Sequence, residues 1–285
     1  IPEGNKTDGI HLTGEDRIGH YGSIMGTCSG KFLDFGGESD RTIHGALADS
    51  VYLRQSGSGT LTLLGSDDRR SRVLEATGGR LVLGHDSGAN VRVVTNATLE
   101  VASGVTLSYR PIITSAGRLE GEGNISSGLG TTSILKDATI APGNPTKAGV
   151  LRANGFAPQG DFTFVSRFDS NTNGVFALSG NAFQLPATAS TATLVIDKLP
   201  DADVQISESD EFVILDWSGG SQKSLRNSTN RANISGNDAS NYLAWTVTSA
   251  TTAINADRAT VRYDDNTQTI RVTGLRTKAP TLVVF

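Results

Sequence analysis

The 285 residues include 33 glycines, one Met and one Cys; 19% are charged, 6% are aromatic, and the formal net charge is −4. That length allows a sizeable core and excludes a disulfide-stapled miniprotein, while the weak negative charge gives no electrostatic footprint for nucleic acid. Glycine without a G-X-Y period is not collagen-like, and 37% hydrophobic residues is not a disordered composition, so the small residues are expected in turns between many short strands.

Residues 1–56 show no clear period and are expected to form an N-terminal cap or first irregular rungs. The chain opens on Ile1, as expected of a processed product or an excised fragment, and its low cysteine and lysine with abundant Gly, Thr and Asn fit the expectation of an exported bacterial protein. Cys28 has no second thiol and no zinc-ligand spacing around it, so it is read as a packed thiol. No apolar run approaches the roughly 20 residues of a membrane helix.

From residue 57 a repeat takes over. Gly59-Thr60-Leu61-Thr62-Leu63-Leu64-Gly65 returns as Gly79-Arg80-Leu81-Val82-Leu83-Gly84, then as Ala97-Thr98-Leu99-Glu100-Val101. It returns again as Gly117-Arg118-Leu119-Glu120-Gly121, and more loosely as Ala138-Thr139-Ile140-Ala141-Pro142-Gly143. The leading aliphatics Leu61, Leu81, Leu99, Leu119 and Ile140 recur about every 20 residues. Each unit reads as a short alternating strand closed by a glycine turn. Aliphatic pairs between the markers, Val73-Leu74, Val91 to Val94, Val105 to Leu107 and Ile112-Ile113, supply a second strand per unit.

A unit this short cannot bury its own apolar face, and stacking places each aliphatic over its counterpart about 4.8 Å away. The predicted fold is therefore all-β, a parallel β-solenoid over residues 57–217. Leu61, Leu63, Leu81, Leu83, Leu99, Val101 and Leu119 point inward, and Thr62, Val82 and Glu100 point outward. Glu100 and Glu120 are read as solvated charges. An antiparallel meander also supplies short strands and glycine turns, but it does not explain the in-register recurrence.

Between Ala116 and Gly155, Gly117, Leu119, Gly121, Gly123 and Ile125 follow a G-x-L-x-G-x-G-x-I pattern. Ile140, Pro142, Gly143, Asn144, Gly149 and Leu151 then follow a turn-and-strand pattern of the form L-x-P-G-N-x-x-G-x-L. In that turn Pro142 fixes φ, Gly143 supplies a positive φ, and Asn144 can bond its own backbone. Further strands are read at Phe162–Phe164, Ala192–Ile196 and Glu211–Trp217. Over about residues 57–217 this resembles bacterial autotransporter passengers and autotransporter-associated β-strand repeat proteins. The resemblance implies a right-handed parallel β-helix that is exported and displayed at the bacterial cell surface.

After residue 217 the period breaks. Strands are read at Leu243–Val247, Thr260–Tyr263, Thr269–Val272 and Thr281–Phe285, with Asp264-Asp265-Asn266 as a hairpin turn. Residues 218–285 are expected to form an antiparallel β cap over the open end of the column. The uncharged strand Thr281, Leu282, Val283, Val284 and Phe285 follows Pro280. It is expected to add to a neighbouring copy's sheet, giving a homo-oligomer or fibre, or else to fold back onto its own cap.

Chemistry-bearing patterns are sparse. Asp67, Asp68, Asp86 and Asp137 fall in apparent turns, where aspartate caps its own backbone. His11, His20, His44 and His85 have no metal spacing. The acidic stretch Asp197, Asp201, Asp203, Glu208, Asp210 and Glu211 offers oxygen ligands suited to Ca²⁺, but it matches no calcium loop and is read as a solvated acidic loop. The expected function is that of a non-catalytic extracellular adhesin or structural surface element without cofactor. Its expected partners are further copies of itself, a host or neighbouring-cell surface, or a glycan. The alternative is a carbohydrate-active β-helix enzyme, a polysaccharide lyase or glycosidase.

Overall fold

The protein is described from a computed structural model, which covers residues 10–12, 31–44, 51–65, 73–94, 96–109, 111–114, 116–126, 132–134, 137–170, 172–180, 183–221, 224–228 and 232–278. Its chain winds repeatedly past three sheets, whose strands join in the order of the sequence. The first face holds eight parallel strands: Ile10–Leu12, Lys31–Phe35, Val51–Gln55, Val73–Ala76, Asn90–Val93, Ile112–Ile113, Thr132–Ile134 and Phe156–Pro158. The second holds nine, also all parallel: Arg41–Ile43, Thr60–Leu63, Arg80–Leu83, Thr98–Val101, Arg118–Gly121, Ala138–Pro142, Phe162–Phe168, Ser190–Lys198 and Leu243–Ser249. The third is parallel through Thr106–Leu107, Asn124–Ile125, Val150–Ala153, Val175–Leu178 and Phe212–Asp216, and then gains the antiparallel strands Thr269–Thr273 and Thr260–Asp264. The fold is an all-β parallel β-solenoid with a C-terminal region that carries an antiparallel hairpin.

Register explains the repeat. On the second face Leu61, Leu81, Leu99, Leu119, Ile140, Phe164, Leu194 and Val247 stack as consecutive Cα partners. The leucines, Ile140 and Phe164 in this column are fully buried. At the strand spacing of a sheet, nine strands cover about 38 Å from first to last. The first five members of the column are aliphatic, whereas from Phe156 onward the interior turns aromatic. Phe156 stacks on Phe183 at 5.3 Å and meets the edges of Phe162 and Phe176, and Trp217 is fully buried beside Phe183. The change follows the rung length, since the column's step grows from about 20 residues to 30 between Phe164 and Leu194. A longer rung encloses a wider section, and larger rings fill it.

Turns are stacked as regularly as strands. Asn96, Ala116 and Asp137 occupy one corner on successive rungs with φ of 60°, 58° and 63°. The Asn96 N–H donates to the Ala116 carbonyl, and the Ala116 N–H to that of Asp137. Gly121 and Gly143 exchange reciprocal backbone bonds of 2.7 and 2.8 Å. At Gly121, φ is +116° and a Cβ would lie 2.0 Å from the Val101 carbonyl oxygen, which no side chain tolerates. The expected Pro-Gly-Asn turn is present: Gly143 has φ of +83°, and the Asn144 carboxamide oxygen accepts the Thr146 N–H at 3.0 Å.

Candidate functional site

Charged side chains concentrate on the outer surfaces of the first two faces, at positions that stack. On the first face Asp34, Arg54, Glu75 and Arg92 are successive Cα partners of alternating sign. Arg54 Nε lies 2.8 Å from Glu75 Oε2, and the Tyr52 hydroxyl donates to the same carboxylate. On the second face Thr60, Arg80, Thr98, Arg118 and Thr139 form one outward column, and Val82, Glu100, Glu120 and Ala141 the next. Glu100 and Glu120 are direct neighbours in the ladder. Two carboxylates at that spacing repel unless cations lie between them.

Three arginines supply that charge. Arg80 donates through Nε and Nη2 to Glu100 Oε2 at 2.9 and 2.7 Å, and its Nη2 lies 2.5 Å from Glu120 Oε1. Arg118 Nε and Arg167 Nη2 each donate to Glu120 Oε2 at 2.9 Å. Arg167 arrives from 47 residues along the chain. It is itself buried and also reaches the Ala141 carbonyl oxygen and, at 4.0 Å, Asp197. Beneath these guanidinium groups Glu120 has no exposed surface. The expectation that Glu100 and Glu120 are solvated is therefore corrected for Glu120, which lies on the outer surface of its sheet and is covered by arginine.

Burial works against ionisation of Glu120. Hydrogen bonds from Arg167 and Arg118 and the charges of Arg118 and Arg80 outweigh it, and hold the carboxyl below its ordinary value. Such a group stays ionised at neutral pH, with Oε2 shared by two arginines and Oε1 making no hydrogen bond but resting against the Arg80 charge. What the arrangement does is tie together the rungs that begin at Arg80, Thr98, Arg118 and Phe162.

The turn aspartates follow a related rule. The Asp86 carboxylate accepts the Thr106 N–H at 2.7 Å, one rung onward, so it caps the next rung and not its own turn. Asp40 and Asp161 do the same for the N–H groups of Thr60 and Thr191, each at 2.7 Å. Asp137 occupies the left-handed corner through its backbone. Asp67, Asp68, His20 and Cys28 lie outside the described residues, as do Thr281, Leu282, Val283, Val284 and Phe285.

Two carboxylates of the acidic stretch are paired with arginines of the C-terminal hairpin and its flanks. Glu208 faces Arg258 and Arg276, each at 3.4 Å, and Glu211 faces Arg262 at 2.6 Å and Arg271 at 3.3 Å. Among the described residues no three His, Cys, Asp or Glu side chains converge to hold a metal ion. No helix among them is long and apolar enough to cross a membrane. The arginines missed in the sequence carried one usable signal. Glu100 and Glu120 share a repeat position, and an arginine occupies the adjacent outward position two rungs apart. Comparison with family models, with curated proteins and with solved structures gives no match.

Proposed function

We propose that this chain is a non-catalytic structural or adhesive element of a bacterial cell surface, an extracellular solenoid of the autotransporter-passenger type. The observation that carries the reading is where the charge goes. The buried carboxylate of Glu120 has both oxygens against arginine, and the turn aspartates Asp40, Asp86 and Asp161 bond the backbone of another rung. Ionisable groups that would serve chemistry elsewhere are engaged in holding the stack together. A rod with such fastenings presents a regular outer surface to a glycan or a neighbouring cell.

The test is incubation of the purified chain with a panel of neutral and acidic polysaccharides, reading both retention and polymer length. Retention of one or more polymers with unchanged length is the expected result. New reducing ends or unsaturated termini would overturn it in favour of a glycosidase or lyase. Antibody labelling of intact source cells checks the location, and label appearing only after lysis removes the surface assignment.

A further inference from the structure

Among the described residues the last strand of the second face, Leu243–Ser249, has a partner on one side only. It pairs in parallel with Ser190–Lys198, from Ser190 opposite Leu243 to Ile196 opposite Ser249. The flanking bonds, Ser190 N–H to the Tyr242 carbonyl and Ala250 N–H to the Ile196 carbonyl, fix which backbone groups face that neighbour. They are those of the even-numbered residues, so the N–H and C=O groups of Trp245, Val247 and Ser249 point to the opposite edge. Among the described residues no strand pairs with that edge. The sequence Leu-Ala-Trp-Thr-Val-Thr-Ser contains no charge or proline, the usual protections of an open strand. Beside it runs a groove of about 570 Å³, lined by Val247, Ser249, Ile254 and Lys278 among others.

We propose that this edge is covered by the chain's own segment Thr281–Phe285, laid antiparallel along it. The pairing that leads there has already begun. Ile254 is opposite Thr277 and Asn255 opposite Arg276, in an antiparallel ribbon, and the Lys278 N–H extends it by donating to the Ala253 carbonyl at 2.8 Å. Continued in the same register, the ribbon sets Pro280 opposite Thr251, Leu282 opposite Ser249 and Val284 opposite Val247.

Two independent features agree with that register. Pro280 has no N–H to give, and the Thr251 N–H and C=O are already bonded to the Ser249 hydroxyl. Leu282 and Val284 meet the residues whose backbone groups face the open edge. Directly opposed residues share a face, so the Leu282 and Val284 side chains fall on the side of Val247 and Ser249, in a groove that both faces of this strand line, Thr248 and Ala250 included. Five extended residues span about 16 Å, and in this register they lie opposite Ala250 back to Thr246. The segment is tethered at Lys278, so its effective concentration at this edge is far above that of a segment from another molecule.

Amide hydrogen exchange on the 285-residue chain tests this, with the Leu81 and Leu99 amides as internal reference for an intact core. The Val247 and Ser249 amides are expected to be protected by about 100-fold or more at every protein concentration. Val284→Pro is expected to abolish that protection, and Val283→Pro, whose N–H would face away, to leave most of it. Deletion of residues 281–285 should match Val284→Pro while the reference amides stay protected. Free exchange of Val247 and Ser249 in the parent, or protection unchanged by Val284→Pro or by the deletion, overturns the proposal. Protection that rises with concentration alongside dimers or filaments also overturns it, and assigns the segment to a second copy.

Discussion

Glu100 and Glu120 occupy the same outward position on adjacent rungs, yet Glu120 is sealed and Glu100 keeps some solvent contact. The difference is Arg167, which closes over Glu120 alone. Leaving buried guanidinium groups without their carboxylate is costly, and the part-exposed Arg80 and Arg118 moderate the cost by turning to water. Glu120→Gln is expected to destabilise the fold by about 2–3 kcal/mol, measured by chemical denaturation at pH 7. Because the folded-state pKa lies below the unfolded value, the contribution of Glu120 is complete above about pH 4.5 and is lost as the pH falls through the depressed folded value. The parent's stability should therefore fall on acidification over that range, and part of this acid limb should vanish in Glu120→Gln. An unaltered acid limb in the variant would mean that Glu120 is not the group being titrated. The sequence held half of this arrangement. Glu100, Glu120, Arg80 and Arg118 sit on the repeat and could be placed in register, but Arg167 belongs to a longer rung that the period does not index.

Strands were legible wherever the repeat kept its length, because the side-chain alternation and the aliphatic column point to the same face at Leu61, Leu81, Leu99 and Leu119. Legibility fails where rungs lengthen. Phe164 takes the place of an aliphatic marker, and Leu194 and Val247 are partners across 53 residues, so local spacing gives no hint that Leu243–Ser249 rejoins the second face. Tyr263 bridges the hairpin to that strand. Tyr263 donates its hydroxyl to the Leu243 carbonyl at 2.9 Å and accepts the Trp245 indole N–H at 3.0 Å. Burial pushes its titration well above the ordinary 10.0, against the smaller opposing effect of the Trp245 hydrogen bond. With the folded pKa raised, the stability contributed by neutral Tyr263 is present below about pH 10 and is lost as the pH rises toward the folded value. Tyr263→Phe is expected to cost about 1–2 kcal/mol through two lost hydrogen bonds and to reduce the alkaline loss of stability. The check is a pair of melting curves at pH 8 and pH 10.5, and an equal drop in both proteins would exclude Tyr263 as the alkaline-sensitive group.

At the scale of the whole molecule the backbone ladder joins each rung only to the rungs before and after it, so stability should be propagated along the rod from neighbour to neighbour, with the arginine contacts of Glu120 reaching one rung further. The two halves of the interior differ in what they propagate. The N-terminal half is packed by aliphatic columns, the file of leucines about 20 residues apart and the column of Leu53, Leu74 and Val91 facing it among them, while the C-terminal half is cross-braced by the Phe156, Phe162, Phe176 and Phe183 cluster and by Trp217. Leu99→Asp would set a carboxylate at a fully buried position between Leu81 and Leu119, where neither a counter-charge nor water is at hand and the cost exceeds that of a cavity. The expected outcome is loss of amide protection over the rungs from Leu61 to Leu119, with protection retained from Phe156 through Val272. Peptide-resolved hydrogen exchange reads this directly. Uniform loss along the chain would show instead that the rod unfolds as one cooperative unit, with the aromatic half dependent on the leucine file beneath it.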